Sequence, residues 1–174
     1  MNKNVLIGIA IVVAVAAAAI LFYRGSYMQS AQTNTQVPTT LPTKNIQVGS
    51  TTITVELATT EAEREQGLSG RASLAEGSGM LFVFDEDGDW GIWMKDMQFA
   101  IDILFLSENG SVVSINANVS PDTYDTDPPQ IFYPPLAVRY VLELPAGYAA
   151  AHNIVPDSTF DLSSIYSRRA NPAL

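Results

Sequence analysis

The amino-acid sequence predicts a mainly β domain, a compact antiparallel β-sandwich or partly closed barrel with one short helix, preceded by an N-terminal transmembrane helix. Two observations predict the β domain: about seven short apolar segments are separated by turn-forming residues, and only one segment begins with a helix-capping pattern. Such a succession of short strands is typical of sandwiches and barrels, of which we favour the sandwich. The third observation, an uncharged apolar run near the N-terminus, predicts the transmembrane helix.

The apolar run Val5–Tyr23 contains 19 residues without a charge. At the rise of an α-helix this length spans about 28 Å, close to the thickness of a bilayer core. A cleaved signal peptide has a shorter apolar region that is followed by small residues, whereas here the bulky residues Ile20–Tyr23 end the run. We therefore predict that residues 1–24 are an uncleaved anchor in the lipid bilayer.

The charges of the chain indicate where the rest of the protein lies. Lys3 precedes the anchor and Arg24 follows it, so the positive-inside rule discriminates weakly. Beyond Arg24 the chain has 18 acidic and 7 basic residues, a formal charge of −11. We predict a single-pass protein of the cell membrane, with the N-terminus in the cytoplasm and the domain outside. A strongly acidic domain without a basic cluster is unsuited to nucleic acid, and the absence of cysteine excludes disulfides and thiol chemistry.

Composition divides the remaining chain into three parts. Residues 25–43 carry no charge and are rich in Gln, Thr, Ser, Asn and Pro, which predicts a flexible polar tether. Residues 44–162 hold the apolar segments and are predicted to form the β domain. Residues 163–174 show no periodicity and are predicted to be a tail.

The first elements of the β domain are predicted from alternation and capping. Ile46–Val48 and Thr52–Leu57 flank the turn Gly49-Ser50, which indicates a β-hairpin. Every second residue of the second segment is apolar, as in a strand with one buried face. Thr60–Glu63 form a capping box, and the glycines that follow limit the helix to a short one.

Later segments with the length and apolar content of strands are Met80–Phe84, Gly91–Met94, Ile103–Leu106, Val113–Val119, Arg139–Leu144 and Thr159–Leu162. The continuous apolar run Met80–Phe84 predicts a strand that is covered on both faces. Asn109-Gly110 predicts a type I′ hairpin turn. Residues Pro121–Pro135 contain five prolines and three aspartates and are predicted to form a long irregular loop.

The chain contains several motifs in a fixed order: Gly67-Leu-x-Gly-Arg71, Gly79-Met-Leu-Phe-Val-Phe84, Trp93-Met-Lys-Asp-Met97 with Asp102-Ile-Leu-Phe105, and Tyr140-Val-Leu-Glu-Leu144 with Ala146-Gly147. In these motifs it resembles the domain of unknown function 192 (DUF192) family, over about Ile46–Leu162. The resemblance implies a compact, mostly β fold that is often secreted or membrane-tethered, and it implies no activity. The chain departs from the family pattern at Ala100, where proline is common, and at Pro156-Asp157, where a glycine–aspartate turn is usual.

Arg71 and Lys95 differ from the other basic residues of the domain because each lies beside a dense apolar stretch with acids nearby. In a structural interpretation, Arg71 pairs with Asp102 or Glu56 and holds the glycine turn against the sheet. A guanidinium group suits this role because it can bind a carboxylate through two parallel hydrogen bonds. We rank this interpretation first.

In a functional interpretation, the same region is a shallow ligand-binding site with the indole of Trp93 as a platform. The charged side chains around it would bind an anionic or hydroxylated ligand. The residues predicted to form the site are Arg71, Trp93, Lys95, Asp96 and Asp102.

Metal and catalytic sites have little support. Four acids have the spacing of ligands in a calcium loop: Asp85, Asp87, Asp89 and Asp96. The sixth position of that loop is Trp90 instead of the glycine that its sharp turn needs, so we predict no metal site there. A weak calcium site in the proline-rich loop and plain solvated acids explain three further residues equally well: Asp122, Asp125 and Asp127. His152 is the only histidine and no Gly-x-Ser-x-Gly turn accompanies it. We predict no catalytic residue and no cofactor.

Three classes of function remain. A membrane-anchored extracytoplasmic module that binds a small ligand or a protein partner ranks first, because the anchor, the tether and the β domain are each predicted from residues. A structural accessory of an envelope assembly ranks second. A hydrolase that uses carboxylates ranks third, since nothing in the sequence sets two acids at a defined distance. A concave pocket with polar groups would favour a ligand, and a flat apolar patch would favour a protein partner.

Overall fold

The structure, a computed structural model, describes residues 40–166. The predicted anchor Val5–Tyr23 and residues 25–39 of the predicted tether lie outside the described residues, as do residues 167–174. Within residues 40–166 no helix has both the length and the apolar character needed to cross a bilayer.

The described residues form seven strands and three short α-helices: β1 Thr43–Val48, β2 Thr51–Ala58, α1 Glu61–Gln66, β3 Ser78–Gly88, β4 Ile101–Leu106, β5 Val112–Val119, β6 Val138–Pro145, α2 Tyr148–Ala151, β7 Phe160–Asp161 and α3 Ser163–Tyr166. A single 3-10 turn follows β5 at Pro121–Tyr124. The structure confirms the predicted hairpin (β1 and β2), the short capped helix (α1) and the strand that follows it (β3). The mainly β class is confirmed as well.

All seven strands belong to one sheet in the order β5-β4-β6-β3-β2-β1-β7. The predicted sandwich is therefore wrong. Strand β6 pairs with both β3 and β4, so the halves that a sandwich would separate are continuous. The prediction of a purely antiparallel sheet is also wrong, since β2 and β3 are parallel. The segment between them contains α1 and provides the crossover that a parallel pair requires.

The sheet is curled into a half-barrel, and its two edges meet at one end. Ser111, just before β5, forms an antiparallel bridge with Thr159, just before β7. Alongside this bridge the N–H of Val112 donates to the carbonyl of Ser158 (2.8 Å) and the N–H of Phe160 donates to Gly110 (2.9 Å). We call these contacts the seam. The partly closed barrel is thus the closer of the two predicted architectures.

The turn between β4 and β5 differs from the predicted type I′. A type I′ turn needs a positive φ at both central residues, but only Gly110 has one (82°) and Asn109 does not. The N–H of Gly110 donates to the carbonyl of Ser107, and the N–H of Ser107 donates to Ser111. This is the three-residue hairpin in which a type I turn is followed by a left-handed glycine.

The sheet buries side chains on both faces. The first face includes Leu81, Leu142 and the fully buried Tyr140, together with residues from α2 and α3. The second face includes Met80 and Phe82, and it is covered by loops. Both faces of β3 are therefore covered, which confirms the interpretation of its continuous apolar run.

The predicted strand Gly91–Met94 is wrong. These residues form one isolated bridge, between Ile92 and Phe132 of the proline-rich loop. Prolines lie on both sides of Phe132 in sequence, and a proline has no N–H to extend a ladder. The segment therefore packs on the second face as a loop, with Ile92 and Met94 buried.

The first residues of the predicted tail, just after β7, form regular structure. Residues Ser163–Tyr166 form one helical turn, and Ile165 is buried against the first face. The hydroxyl of Ser164 donates to the carbonyl of Asn45 in β1 (3.0 Å). This contact joins the end of the described chain to its first strand.

Candidate functional site

A pocket of about 290 Å³ opens on the second face, between α1, the turn after it and the loop that follows β3. Its volume lies near the lower end of the usual range for small-molecule sites, roughly 300–1,000 Å³. Its apolar lining residues are Leu68, Phe82, Phe84, Trp90, Ile92, Trp93 and Met97. Its polar lining residues are Glu61, Arg64, Glu65, Gln66, Ser69 and Glu143.

The aromatic floor of the pocket follows from strand alternation. Phe82 and Phe84 lie two residues apart on β3, so both point to the second face, whereas Leu81 and Val83 point to the first. Gly67 ends α1 with a φ of 47°. A Cβ at this position would lie 3.3 Å from the ring of Phe82, so glycine allows the end of α1 to approach the floor closely.

One wall is an aromatic stack with a guanidinium group beside it. The rings of Phe84 and Trp90 are nearly parallel, with centroids 4.1 Å apart. The guanidinium carbon of Arg64 lies 5.0 Å from the centroid of Phe84. Arg64 also donates from Nη1 to the carbonyls of Thr59 (2.7 Å) and Val83 (3.0 Å). Its guanidinium group is therefore held by the fold.

Glu143 is the buried acid of the pocket. It lies on β6 between Met80 of β3 and Ile103 of β4, which are its partners in the sheet, and only 4% of it is exposed. Within the part of the chain that the structure describes, no hydrogen bond joins its carboxyl group to another residue. Burial raises the pKa of Glu143 to about 8, and the positive charge of Arg71 opposes that shift.

Arg71 is paired with a second acid, Glu56, which lies near Glu143 on the same face of the sheet. It donates from Nη1 and Nη2 to the two carboxylate oxygens of Glu56, at 2.6 and 2.8 Å. Glu56 is the partner of Met80 on β2, so Glu56, Met80 and Glu143 lie side by side on three neighbouring strands. The hydrogen bonds from Arg71 lower the pKa of Glu56, against the effect of burial. The structural pairing predicted for Arg71 is thus formed with Glu56.

Of the five predicted site residues, Trp93 lines the pocket, with 48% of its surface exposed. Arg71 is not among the lining residues, but it lies within electrostatic reach of Glu143. Lys95 and Asp96 are exposed in the next turn and do not line the pocket. Their backbone carbonyls accept hydrogen bonds from the hydroxyl of Ser69 and the N–H of Gly70, both 2.8 Å, which hold the two loops together.

Asp102 lies apart from the other four. Its neighbours Ile101 and Ile103 point to the second face, so Asp102 points to the first. It is fully buried and accepts backbone hydrogen bonds from Asn118, Gly147 and Ala149, at 2.8, 3.0 and 2.9 Å. Asp102 therefore connects β4, β5 and the turn before α2.

Sequence reasoning missed Glu143 and the aromatic floor. Glu143 is a single acid between Leu142 and Leu144 in a strand that is otherwise apolar. A charged residue in such a run is a signal, since charged side chains are rarely fully buried without a partner. Phe82 and Phe84 lie two residues apart in β3, which predicts that both side chains are on the same face of the sheet. It does not predict that this face is partly open to solvent.

Comparisons with known proteins place the chain among uncharacterised domains. The family model DUF192, described as "Uncharacterized ACR", matches residues 43–162. A solved structure from Sinorhizobium meliloti 1021, described as a candidate transcription regulator, is 29% identical, with a TM-score of 0.66 over 72% of this chain and 97% of that chain. A protein of unknown function from Novosphingobium aromaticivorans is 28% identical, with a TM-score of 0.64 over 72% and 89% of the two chains. No curated protein matches this sequence.

Proposed function

The chain belongs to the DUF192 family over residues 43–162, and we propose that this member is a membrane-anchored extracytoplasmic module that binds a small ligand. The observation that carries the proposal is the pocket on the second face. It combines an aromatic lining with a few polar groups, among them the buried carboxyl group of Glu143. Concave sites of this composition are the usual binding sites for small molecules.

The pocket is organised before any ligand arrives. The stack of Phe84 on Trp90 and the two hydrogen bonds of Arg64 hold one wall, and the contacts of Ser69 and Gly70 with the next loop hold the mouth. A preorganised site loses little conformational entropy on binding. We propose that Trp93 contacts the ligand at the mouth of the pocket. Arg71 would influence ligand binding through its electrostatic effect on Glu143.

A protein partner is the second candidate, because exposed apolar side chains continue from the mouth of the pocket. A Cβ at Gly91 would lie within 3 Å of both Ile131 and the ring of Tyr133, so these side chains cover the backbone next to Trp93. Ile131 and Tyr133 are themselves 38% and 58% exposed. Contiguous exposed apolar surface is a common feature of protein interfaces.

The placement at a membrane is part of the proposal and rests on the sequence. Val5–Tyr23 has the length and apolar character of a transmembrane helix, and the acidic domain follows after a polar tether. With the N-terminus in the cytoplasm, the pocket would meet ligands outside the cell membrane.

A ligand screen on the full chain in detergent tests the binding function. A compound that binds only the folded state raises the unfolding temperature by mass action, so a panel of small neutral, anionic and cationic compounds is compared by thermal shift. Trp93→Ala should weaken the binding of any ligand found by about tenfold or more, because it removes the aromatic side chain at the mouth of the site. Val155→Ala is the matched control, since Val155 is 56% exposed and lies outside the pocket. Equal affinities in the two variants would contradict the proposed site.

A further inference from the structure

We propose that the pocket takes a small organic cation, an amine or quaternary ammonium group on a compact apolar body, with the carboxylate of Glu143 as its counter-charge. The inference rests on the proposed binding function and names the ligand class. It follows from three observations: a buried acid that has no hydrogen-bond partner among the described residues, an aromatic lining, and nearby cationic side chains that already contact other groups of the fold.

The first observation is the position of Glu143 at the pocket. Its side chain lines the pocket and is 4% exposed, and within residues 40–166 its carboxyl group takes part in no hydrogen bond. A buried polar group without a partner is costly, and the cost is greater for a charged group. A cation that enters the pocket supplies the missing partner.

The second observation is the charge of the surroundings. Arg71 is bound to both oxygens of Glu56, and Arg64 is bound to two backbone carbonyls beside Phe84. The charge of Arg71 is therefore paired with that of Glu56, and Nη1 of Arg64 is already engaged by the backbone. Two further acids line the mouth from α1, namely Glu61 and Glu65, and both are exposed. Their charges attract a cation toward the opening.

The third observation is the aromatic lining. The faces of aromatic rings attract cations, and recognition of quaternary ammonium groups by aromatic cages is the best known use of this attraction. Phe82, Phe84, Trp90 and Trp93 line the pocket. Phe84 is already stacked on Trp90 and lies beneath the guanidinium group of Arg64, so Phe82 and Trp93 are the rings proposed to face the ligand. An aromatic lining also favours an apolar body around the charge over a bare metal ion.

Binding of a cation has a consequence for protons. In the free protein burial raises the pKa of Glu143 to about 8, so at pH 7 its carboxyl group is mostly protonated. The cation binds the carboxylate form, so the proton leaves Glu143 for the solvent when the ligand binds. The affinity for a ligand with a permanent charge should therefore increase from pH 6 to pH 8, by up to about tenfold per pH unit.

The other charged groups near Glu143 do not produce this effect. Glu56 and Arg71 form an ion pair on the neighbouring strand and loop, and hydrogen bonding to Arg71 lowers the pKa of Glu56. Arg64, Glu61 and Glu65 are the other charged residues that line the pocket, and all three lie on α1. Glu143 is the lining residue whose pKa burial raises into the window of the measurement.

The test is calorimetric titration of the full chain, in a detergent with uncharged ethylene-oxide headgroups, with choline as the probe. Its uncharged analogue dimethylbutanol, in which a tert-butyl group replaces the trimethylammonium group, measures the contribution of the charge. Titrations at pH 6, 7 and 8 in two buffers of different ionisation heat count the protons released. We expect choline to bind at least about tenfold more tightly than dimethylbutanol at pH 8, with up to one proton released at lower pH.

Variants assign the effect to Glu143. Glu143→Gln keeps the shape of the protonated acid and should weaken choline by about tenfold or more at pH 8 and abolish proton release. Glu65→Gln, at the exposed mouth, should weaken choline by less than about threefold and keep the pH dependence. Circular dichroism of both variants verifies folding, and the proton count on the unmodified protein tests the proposal without any substitution.

The outcomes separate the ligand class from the binding function. Choline binding that is no stronger than that of dimethylbutanol, or unchanged in folded Glu143→Gln, overturns the cation proposal. So does the absence of choline binding at concentrations up to about 10 mM, which corresponds to a negligible affinity. If neutral or anionic compounds of the thermal-shift panel then bind in a manner that depends on Trp93, the binding module stands with another ligand class.

A trimethylammonium group reaches a membrane-anchored pocket from two sources, a lipid headgroup or a free solute. Full chain in phosphatidylcholine liposomes and in phosphatidylglycerol liposomes distinguishes them. A lower apparent affinity for free choline in phosphatidylcholine indicates that the headgroup itself occupies the pocket. Equal affinities in the two lipids indicate a soluble ligand. Both results require that choline binds, so both support the cation class.

Discussion

The carboxyl group of Glu143 lies in the sheet between two apolar partners, Met80 and Ile103, where the fold offers it no hydrogen bond among the described residues. An apolar residue at this position would pack against both neighbours without any desolvation cost. An acid here therefore lowers the stability of the ligand-free fold. This is the pattern expected where a side chain serves binding at the expense of packing.

Glu143→Gln should stabilise the ligand-free protein at high pH. The unfolded chain loses the proton of this acid near its ordinary pKa of 4.5, whereas the folded chain keeps it up to about pH 8. Between these values the unfolded state binds fewer protons, so the contribution of Glu143 to the free energy of unfolding falls as pH rises. Glutamine does not titrate, and we expect its advantage to grow to the order of a few kcal/mol at pH 8.

Urea denaturation of wild type and Glu143→Gln at pH 5 and pH 8 measures the effect, with Glu65→Gln as the control. Glu56 and Glu63, whose pKa values are lowered in the folded protein, titrate equally in wild type and variant and cancel in the difference. If the free energy of unfolding changed equally with pH in wild type and in Glu143→Gln, burial would not raise the pKa of this carboxyl group.

Arg71→Ala should destabilise the domain by about 1–2 kcal/mol at pH 7, less than the ~3–5 kcal/mol lost when a fully buried pair is broken. The reason is partial exposure: the side chains of Arg71 and Glu56 are 33% and 28% accessible. Because the folded-state pKa of Glu56 is lowered, the pair stabilises the fold above the ordinary pKa of 4.5, and the loss should shrink as the pH falls below that value.

Chemical denaturation at pH 7 and pH 3 compares Arg71→Ala with Lys95→Ala. Lys95 is exposed and contacts its neighbours through its backbone carbonyl, so its truncation should change stability by about 0–1 kcal/mol. If Arg71→Ala unfolded at the wild-type midpoint, the result would contradict a structural role for this ion pair.

Among the elements of the fold, the seam decides whether the sheet closes. Gly110 has a φ of 82°, and a Cβ at this position would overlap the carbonyl oxygen of Phe160 in β7. That carbonyl belongs to the backbone and cannot rotate away as a flexible side chain could. A side chain at Gly110 would therefore push β5 away from β7.

Gly110→Ala should cost about 2–4 kcal/mol, since the strain of a positive φ adds to the displacement of the seam. Gly49→Ala is a matched control. Gly49 also has a positive φ, 56°, but nothing lies within 4 Å of the added Cβ, so only about 1 kcal/mol should be lost. Urea denaturation measures both variants. Equal losses would mean that the contact between β5 and β7 contributes nothing to stability.

At the scale of the whole molecule, the proposal combines an anchor, a tether and a binding domain. The domain carries its own core on both faces of the sheet, and its last helical turn packs on its first strand. Its pocket is formed by residues 61–143. The tether and anchor would set where the pocket acts.

We expect the anchor to remain uncleaved and the domain to lie outside the cytoplasm. N-terminal sequencing of the membrane fraction should begin at the start of the chain, because the bulky Ile20–Tyr23 end of the apolar run lacks a cleavage signal. Protease added to intact cells should remove the domain. A mature N-terminus near Ser26 would refute the anchor, and a domain resistant on intact cells but digested after lysis would refute its location.

Local features of the fold were predictable because they depend on residues that are close in sequence. The hairpin after Ile46, the capping box Thr60–Glu63 and the doubly covered strand Met80–Phe84 each follow from side-chain period or turn chemistry within a few positions. Of the candidate site, the sequence named Trp93 as the platform of a shallow site, and Asp102 or Glu56 as the partner of Arg71.

The arrangement of the strands and the pocket required the tertiary structure. Whether β6 joins β3 to β4, and whether β2 and β3 run parallel, depends on pairings between distant segments that no local pattern records. The same pairings place Glu56 and Glu143 on opposite sides of Met80, and Arg71 forms its ion pair with Glu56. A sequence shows that two acids and one arginine are present. Only the folded sheet determines which acid has no hydrogen-bond partner among the described residues, because burial and pairing are properties of neighbours in space.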